Sequence, residues 1–351
     1  MAPITEKSPK PGKAGSWLAL AGLCAVVVMG AKELVRRRMK PPLNLRGKVV
    51  LISGGSRGLG FAIANELGRQ GARLALCARD LDELQDACGR LAEAGIEAIP
   101  FVADLTRQAS IQPLVTEVLS RFGRIDVLIN NAGSISVGPL RSFTHADFEQ
   151  AMDLMFWGPL NLTFAVLPHM KETGEGHIVN VTSVGGRVSI PHLLPYSCAK
   201  FALVGFSTGL STEAGAHGIR VLTVVPGLMR TGSYLNAEFK GASEDEFAWF
   251  GLLGNLPGFS VAADYAAQRI REAIENQDRV CTISLPAKIL IACEALAPES
   301  TRTVLELVNR YLLPESSRRH AESGKALNPV LNAVFQGLTA LGRNAARDLN
   351  E

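Results

Sequence analysis

The feature that most constrains this chain is a short β-branched run, Lys48-Val-Val-Leu-Ile-Ser53, which passes at once into Gly54-Gly-Ser-Arg-Gly-Leu-Gly60 and then an amphipathic stretch from Phe61 to Gln70. Such a run suits a strand buried on both faces, and a strand that feeds a helix through a glycine turn opens a parallel-sheet unit. Strand and helix signals then alternate: Arg73 to Cys77 before Leu81 to Ala94, Ile99 to Ala103 before Ile111 to Phe122, then Val127 to Asn130, His177 to Thr182 and Val221 to Val225. This alternation predicts an α/β fold, a doubly wound parallel sheet with helices on both faces, over residues 47–285. Residues 286–351 read as a helical C-terminal extension with apolar stretches at Lys288 to Leu296 and Pro329 to Leu341. In the second stretch, Val330, Val334, Leu338 and Leu341 share one stripe, suited to packing on the core or on a partner subunit of a homo-oligomer.

The net charge of +3 is unevenly spread. Residues 1–46 hold nine Lys/Arg against two Glu, a balance of +7, whereas the remaining 305 hold 27 basic and 31 acidic side chains, a balance of −4. A body without excess positive charge argues against nucleic-acid binding. Between a flank at 1–13 and a basic linker at 32–46, residues 14–31 carry no charge. At about 1.5 Å per residue this run reaches roughly 27 Å, close to the thickness of a bilayer core. A cleaved secretory signal is disfavoured by the basic cluster Lys32 and Arg36-Arg37-Arg38 that follows directly. A buried core helix fits less well than a membrane anchor, because Trp17 and the arginines stand at its two ends. Five basic residues after the run outnumber three before it, so the expectation is a single-pass membrane protein whose catalytic body faces the cytoplasm. Six cysteines without Cys-x-x-Cys spacing indicate neither a disulfide framework nor a metal site, and they read as reduced, mostly buried residues.

Glycines at 54, 58 and 60 have a physical reason. Dinucleotide phosphates must approach the backbone at a helix N-terminus, where free N–H groups and the positive dipole end favour anions and a Cβ would intrude. Alone, this spacing is weak evidence. Ser53-Gly54-x-x-x-Gly58-x-Gly60, Asn130-Asn131-Ala132-Gly133, Ser183, Tyr196-Ser-Cys-Ala-Lys200 and Pro226-Gly227 followed by Thr231 occur in order. Together they make the chain resemble the short-chain dehydrogenase/reductase family, in its classical-type, NADP-preferring branch. Arg57 stands where the extended epimerase-like branch has a second glycine. The resemblance implies a Rossmann-like fold over residues 47–285 and carbonyl/alcohol oxidoreductase chemistry. It also implies cofactor contacts from Ser53, Gly54, Ser56, Arg57, Gly58, Leu59 and Gly60. Further contacts would come from Asp104 and Leu105 beside the adenine, from Asn131, Ala132 and Gly133 at the nicotinamide ribose, and from Tyr196, Lys200, Pro226, Gly227 and Thr231.

The residue types suit that chemistry. Reduction of a carbonyl needs a proton delivered to the developing alkoxide, and a free tyrosine with a pKa of about 10 is a poor donor at neutral pH. Tyr196 and Lys200, four apart on one helical face, let an ammonium lower the tyrosine pKa and reach the ribose. Ser183, placed just after the strand Ile178 to Val181, can orient the carbonyl oxygen. Such a Tyr/Lys pair is common on ordinary helices, and it acquires meaning here from the serine and the glycine loop. Cys198, inside the motif, reads as a packing residue rather than a nucleophile. One position departs from the family pattern. Where the family carries a relay asparagine, this chain has Met155, whose thioether has no donor and only a weak acceptor, so the expectation is a slowed or rerouted proton relay.

Cofactor choice is read at the end of the second strand. Cys77-Ala78-Arg79 offers no carboxylate for a ribose 2′-hydroxyl, whereas Arg57 and Arg79 suit a 2′-phosphate, with Asp80 starting the next helix. NADP(H) is therefore expected. From Leu228 to Phe259 the chain is rich in apolar and aromatic residues, among them Tyr234, Trp249 and Phe250. These either pack a lid or line a pocket for a lipophilic carbonyl or alcohol, with Ser183, Tyr196 and Tyr234 contacting substrate. A different class of function, an NADP(H)-binding scaffold or redox sensor with little turnover, draws its support from Met155.

Overall fold

The structure, a computed structural model, describes residues 28, 29, 31, 41–327 and 339–351. The uncharged run 14–31 lies outside the described residues except at 28, 29 and 31, as does most of the stripe at 330–341. Among the described residues no helix is long and apolar enough to cross a membrane.

Seven parallel strands form the main sheet of the unit spanning residues 44–351. They are β1 (Val49–Ser53), β2 (Arg73–Ala78), β3 (Ala98–Val102), β4 (Val127–Asn130), β6 (Gly176–Val181), β7 (Ile219–Pro226) and β11 (Val280–Ile283). Their order across the sheet is β3-β2-β1-β4-β6-β7-β11. The chain builds outward from β1 to β3, then crosses back to pair β4 with β1, Val50 facing Val127 and Ser53 facing Asn130. Helices α1 (Gly58–Arg69), α2 (Leu81–Glu93), α3 (Gln108–Phe122), α5 (Gly158–Thr173), α6 (Leu194–Glu213) and α8 (Ala263–Glu275) provide the crossovers and flank the sheet. Every residue of β1 and β4 is buried, which explains why their sequences are continuous apolar runs rather than alternating ones. The crevice at the carboxyl ends of β1 and β4, where the strand order reverses, is the standard ligand position of such sheets.

Local signals account for the element starts. Asp80 caps α2 by accepting the Glu83 N–H at 3.0 Å. Asp147 accepts both the N–H and the hydroxyl of Thr144 at the start of α4 (His145–Met152). Asp126 ties the strand bases together, accepting from the Val49 N–H at 2.8 Å and from Lys48 at 3.0 Å. A π-helical turn, Asp153–Trp157, joins α4 to α5.

The residues beyond 285 differ from the expected helical tail. After α9 (Leu285–Leu296) and α10 (Pro298–Tyr311), the strand β12 (Ala321–Ser323) pairs antiparallel with β9 (Glu238–Lys240), which also pairs with the two-residue β5 (Ser136–Val137). Strands β8 (Leu228–Arg230) and β10 (Ser260–Ala262) make a further pair around α7 (Ser243–Asn255). The extension thus completes a small sheet under the substrate loop, because β9 otherwise leaves an unpaired edge there. A last helix, α11 (Ala340–Asp348), returns to the glycine turn. Cysteine burial is likewise mixed: Cys77 and Cys281 are buried, while Cys198 and Cys293 are exposed, which removes the packing role expected for Cys198.

Candidate active site

The glycine turn after β1 carries a close backbone approach that only glycine permits. A Cβ on Gly60 would stand 1.9 Å from Gly54 O, so the turn and the first turn of α1 fold directly on each other. Arg57, the residue before α1, is extended and makes no side-chain cap. The first N–H groups of that helix therefore need partners from outside it, and the Gly58 N–H finds Leu349 O at 2.8 Å. Gly54, Ser56, Arg57, Gly58 and Leu59 line a cleft of about 1120 Å³. This exceeds the range of about 300–1,000 Å³ usual for a pocket holding one ligand, and leaves room for two molecules side by side.

Ser53 and Gly60, both expected at the cofactor, lie beneath the cleft floor instead of lining it. The Ser53 hydroxyl accepts the N–H groups of Asn131 and Ala132 at 3.0 and 3.2 Å, stapling the β1 turn to the β4 turn. Of the pair at the end of β3, Leu105 lines the cleft. The Asp104 carboxylate turns to Thr106, accepting its N–H at 3.1 Å and its hydroxyl at 2.8 Å, bonds that hold it below its usual pKa against the cost of burial. Asn131, Ala132, Gly133, Pro226, Gly227 and Thr231 all border the cleft as expected. Arg79 borders it too, and is exposed. The Arg57 guanidinium is engaged by Glu83 at 2.8 Å, which a phosphate at this position would have to displace.

Ser183, Tyr196 and Lys200 meet on the opposite wall. Ser183 leaves β6 and accepts the Gly185 N–H at 3.0 Å, which leaves its hydroxyl proton free for another acceptor. The turn lies against α6 because Gly186 has no side chain: a Cβ there would stand 2.6 Å from Lys200 O. The Tyr196 hydroxyl is hydrogen-bonded to Ser183; burial raises its pKa, and this bond opposes the rise. Lys200, expected to lower the tyrosine, donates from its ammonium to Val181 O at 2.9 Å, and the ammonium lies 5.7 Å from the centre of the Tyr196 ring. Burial brings that ammonium down to about 8. Met155 is buried in the π-helical turn, where a side chain on Gly133 would begin 3.4 Å from the Met155 sulfur and 3.8 Å from Lys200 Nζ. The thioether and the lysine thus both face the same spot beside Gly133.

The substrate end is apolar. Trp249, Phe250, Leu253 and Phe259 border it from the loop read as the substrate region. Tyr234 touches the cleft but is packed, 3% exposed in a cluster with Phe239, Phe247 and Phe250. Sequence reasoning missed Ile190 and Leu193 before α6, Pro286 and Leu290 from α9, and Glu351. The Gly185-Gly186 pair, one residue beyond Ser183, was a usable signal for the tight turn. No local signal marked Glu351. Among the described residues no group of His, Cys, Asp and Glu is arranged to hold a metal ion.

The glycine cradle, a helix start with no side-chain cap of its own and the long cleft fit a dinucleotide. Comparison with known proteins agrees with this geometry. The family profile described as short chain dehydrogenase matches residues 48–238. A relative named dehydrogenase/reductase SDR family member 7B, from Mus musculus, is 33% identical over 269 residues, covering 75% of this chain and 81% of that protein. The crystal structure of a short-chain dehydrogenase from Streptomyces avermitilis superposes with a TM-score of 0.64 at 32% identity, covering 76% of this chain and 98% of that one. A metagenomic short-chain oxidoreductase crystallised in complex with NADP gives a TM-score of 0.57 at 29% identity, covering 69% and 98%.

Proposed function

The chain belongs to the short-chain dehydrogenase/reductase family of oxidoreductases, and on that premise we propose that it interconverts a carbonyl and an alcohol on a lipophilic substrate with NADP(H). The observation that carries this reading is the Ser183–Tyr196 pair, with Lys200 behind it, on the same cleft as the glycine cradle. Gly54, Gly58 and Leu59 would hold the dinucleotide backbone, and Asn131, Ala132 and Gly133 its nicotinamide end. When bound, that group supplies or accepts the hydride. Ser183 donates a hydrogen bond to the substrate oxygen, and Tyr196 transfers its proton to that oxygen as the alcohol forms. Lys200 offers a positive charge to the tyrosinate left behind.

The 2′-phosphate preference is supported by the absence of a free carboxylate at the end of β2, where Asp80 is occupied in capping α2, and by Arg57 and Arg79 at the cleft border. The apolar wall of Trp249, Phe250 and Leu253 supports a lipophilic substrate. The uncharged run 14–31 and its basic flank support a membrane anchor with the body on the cytoplasmic side, which protease protection of sealed membranes tests.

The functional test is a screen of long-chain aldehydes, ketolipids, steroids and retinoids, followed by NADPH absorbance. Turnover is expected with members of this panel. Tyr196→Phe should abolish it while leaving the NADPH Kd within about twofold, since the ring and its packing are retained. Arg79→Ala should weaken NADPH by roughly tenfold or more and NADH hardly at all, in line with loss of a charge-assisted phosphate contact. Equal loss for both cofactors would contradict the phosphate assignment.

A further inference from the structure

Residues 339–351 bring the chain back into the cleft at the point where a dinucleotide's diphosphate belongs. Leu349 O accepts the N–H of Gly58, the first residue of α1, at 2.8 Å. Asn350 donates to Ser56 O at 2.9 Å and to Glu83 O at 3.3 Å. Arg90, from α2, holds the same stretch through Asp348 O at 2.7 Å and Asn350 Oδ1 at 3.1 Å. The Glu351 carboxylate then fills the gap between the turn after β1 and the loop after β7. Its oxygens lie 2.3 and 2.1 Å from where side chains on Gly58 and Gly232 would begin, and Asn236 donates to it at 3.1 Å.

This placement has a chemical consequence. The N–H groups and dipole at the start of α1 favour an anion. The single Gly58 proton serves either Leu349 O or a phosphate oxygen. A carboxylate and a diphosphate in the same small space also repel and collide. We propose that residues 340–351 form an intrinsic latch that occupies the diphosphate subsite, with Glu351 as the anion, so that latch docking and dinucleotide binding are mutually exclusive. Burial lifts Glu351 to about 7, with Arg57, Asn236 and Lys325 working against that rise and Glu83 adding to it. A docked carboxylate under this strain suits a segment that leaves when a better anion arrives.

The latch rests on the dinucleotide reading above, and the experiment separates the two. NADPH affinity is measured by fluorescence titration for the full chain, for a chain lacking residues 340–351, and for the Arg90→Ala/Asn350→Ala double variant, which keeps the segment but removes its Arg90 and Asn350 side-chain anchors. The latch predicts at least a tenfold lower Kd for the deletion, a smaller decrease for the double variant, and faster amide hydrogen exchange across 340–351 when NADPH binds the full chain. An unchanged or higher Kd in folded variants, or slower exchange on binding, overturns the latch and makes the segment a structural piece or a clasp over bound cofactor. No dinucleotide binding by any of the three chains overturns the cofactor reading, and the latch with it.

Discussion

Lys200 is buried, and the only protein acceptor its ammonium finds among the described residues is Val181 O. A folded-state pKa of about 8 lies below the free value of about 10.4, so the unfolded chain binds the proton more readily. The cost of burying the charge is fully present below pH 8 and is relieved as pH rises between the two values. Lys200→Met should therefore stabilise the fold at pH 7 by about 1–3 kcal/mol while abolishing turnover, measurable as a raised Tm beside a lost rate. The rate of the native chain should fall as pH rises above about 8, because the ammonium is lost there. Met155 makes a second test. Its burial against Ala151 and Ala199 means that Met155→Asn costs about 1–3 kcal/mol in lost packing and an unpaired amide. If the thioether blocks the relay, the same variant should turn over faster and show a smaller solvent isotope effect; an unchanged rate when proton transfer limits turnover refutes that role. Tyr196, Lys200 and the glycine turn were legible because helical spacing and backbone sterics act over a few residues. The orientation of the Lys200 ammonium was not, since it depends on Val181 O from a strand nineteen residues upstream.

The lid over the substrate end is held by one buried carboxylate. Glu246, on α7, is fully buried, accepts from Trp249 Nε1 at 2.6 Å, and pairs with His192 Nδ1 at 2.7 Å. His192 lies two residues before α6, the helix that carries Tyr196, with a left-handed φ of 62°. Glu246→Ala would leave the buried His192 ring and the part-buried Trp249 N–H without their partner, at about 1–3 kcal/mol for the buried group and less for the other. The expected result is a lower Tm and a KM raised several-fold with the NADPH Kd unchanged. A Kd that rises equally would show the clamp supporting the whole cleft rather than the lid. Glu244, Asp245 and Glu246 stand together in the first turn of α7, and nothing local in the sequence distinguishes the buried member from its solvated neighbours. The alternation of strand and helix was readable for the opposite reason, because burial on both sheet faces imposes its pattern on each strand independently. Tyr234 shows the limit of composition: whether an aromatic in an apolar loop serves packing or substrate depends on how the loop folds it against Phe239 and Phe247, which composition does not encode.

Across the whole molecule, the chain divides its work between a sheet that positions both halves of the cleft and an extension that closes back on it. The strand reversal between β1 and β4 brings the glycine turn beside the Asn131-Ala132-Gly133 turn, and the continuation through β6 adds Ser183. This order was legible as a fold class. The return of residues beyond 285, through β12 and α11 to Gly58, was not, because contacts between residues some 80 positions apart at β12 and 291 apart at Gly58 leave no periodicity in either segment. In the proposed function, one cleft carries hydride from NADPH to a carbonyl while Tyr196 supplies the proton. The most direct measurement is label transfer: NADPH deuterated at both C4 positions is mixed with a carbonyl found in the screen, and the alcohol is analysed by mass spectrometry. Deuterium on the alcohol carbon from the native chain, with no alcohol formed by a Tyr196→Phe protein that still binds NADPH, is the predicted result. Unlabelled alcohol, or labelled alcohol at an undiminished rate from Tyr196→Phe, would contradict it.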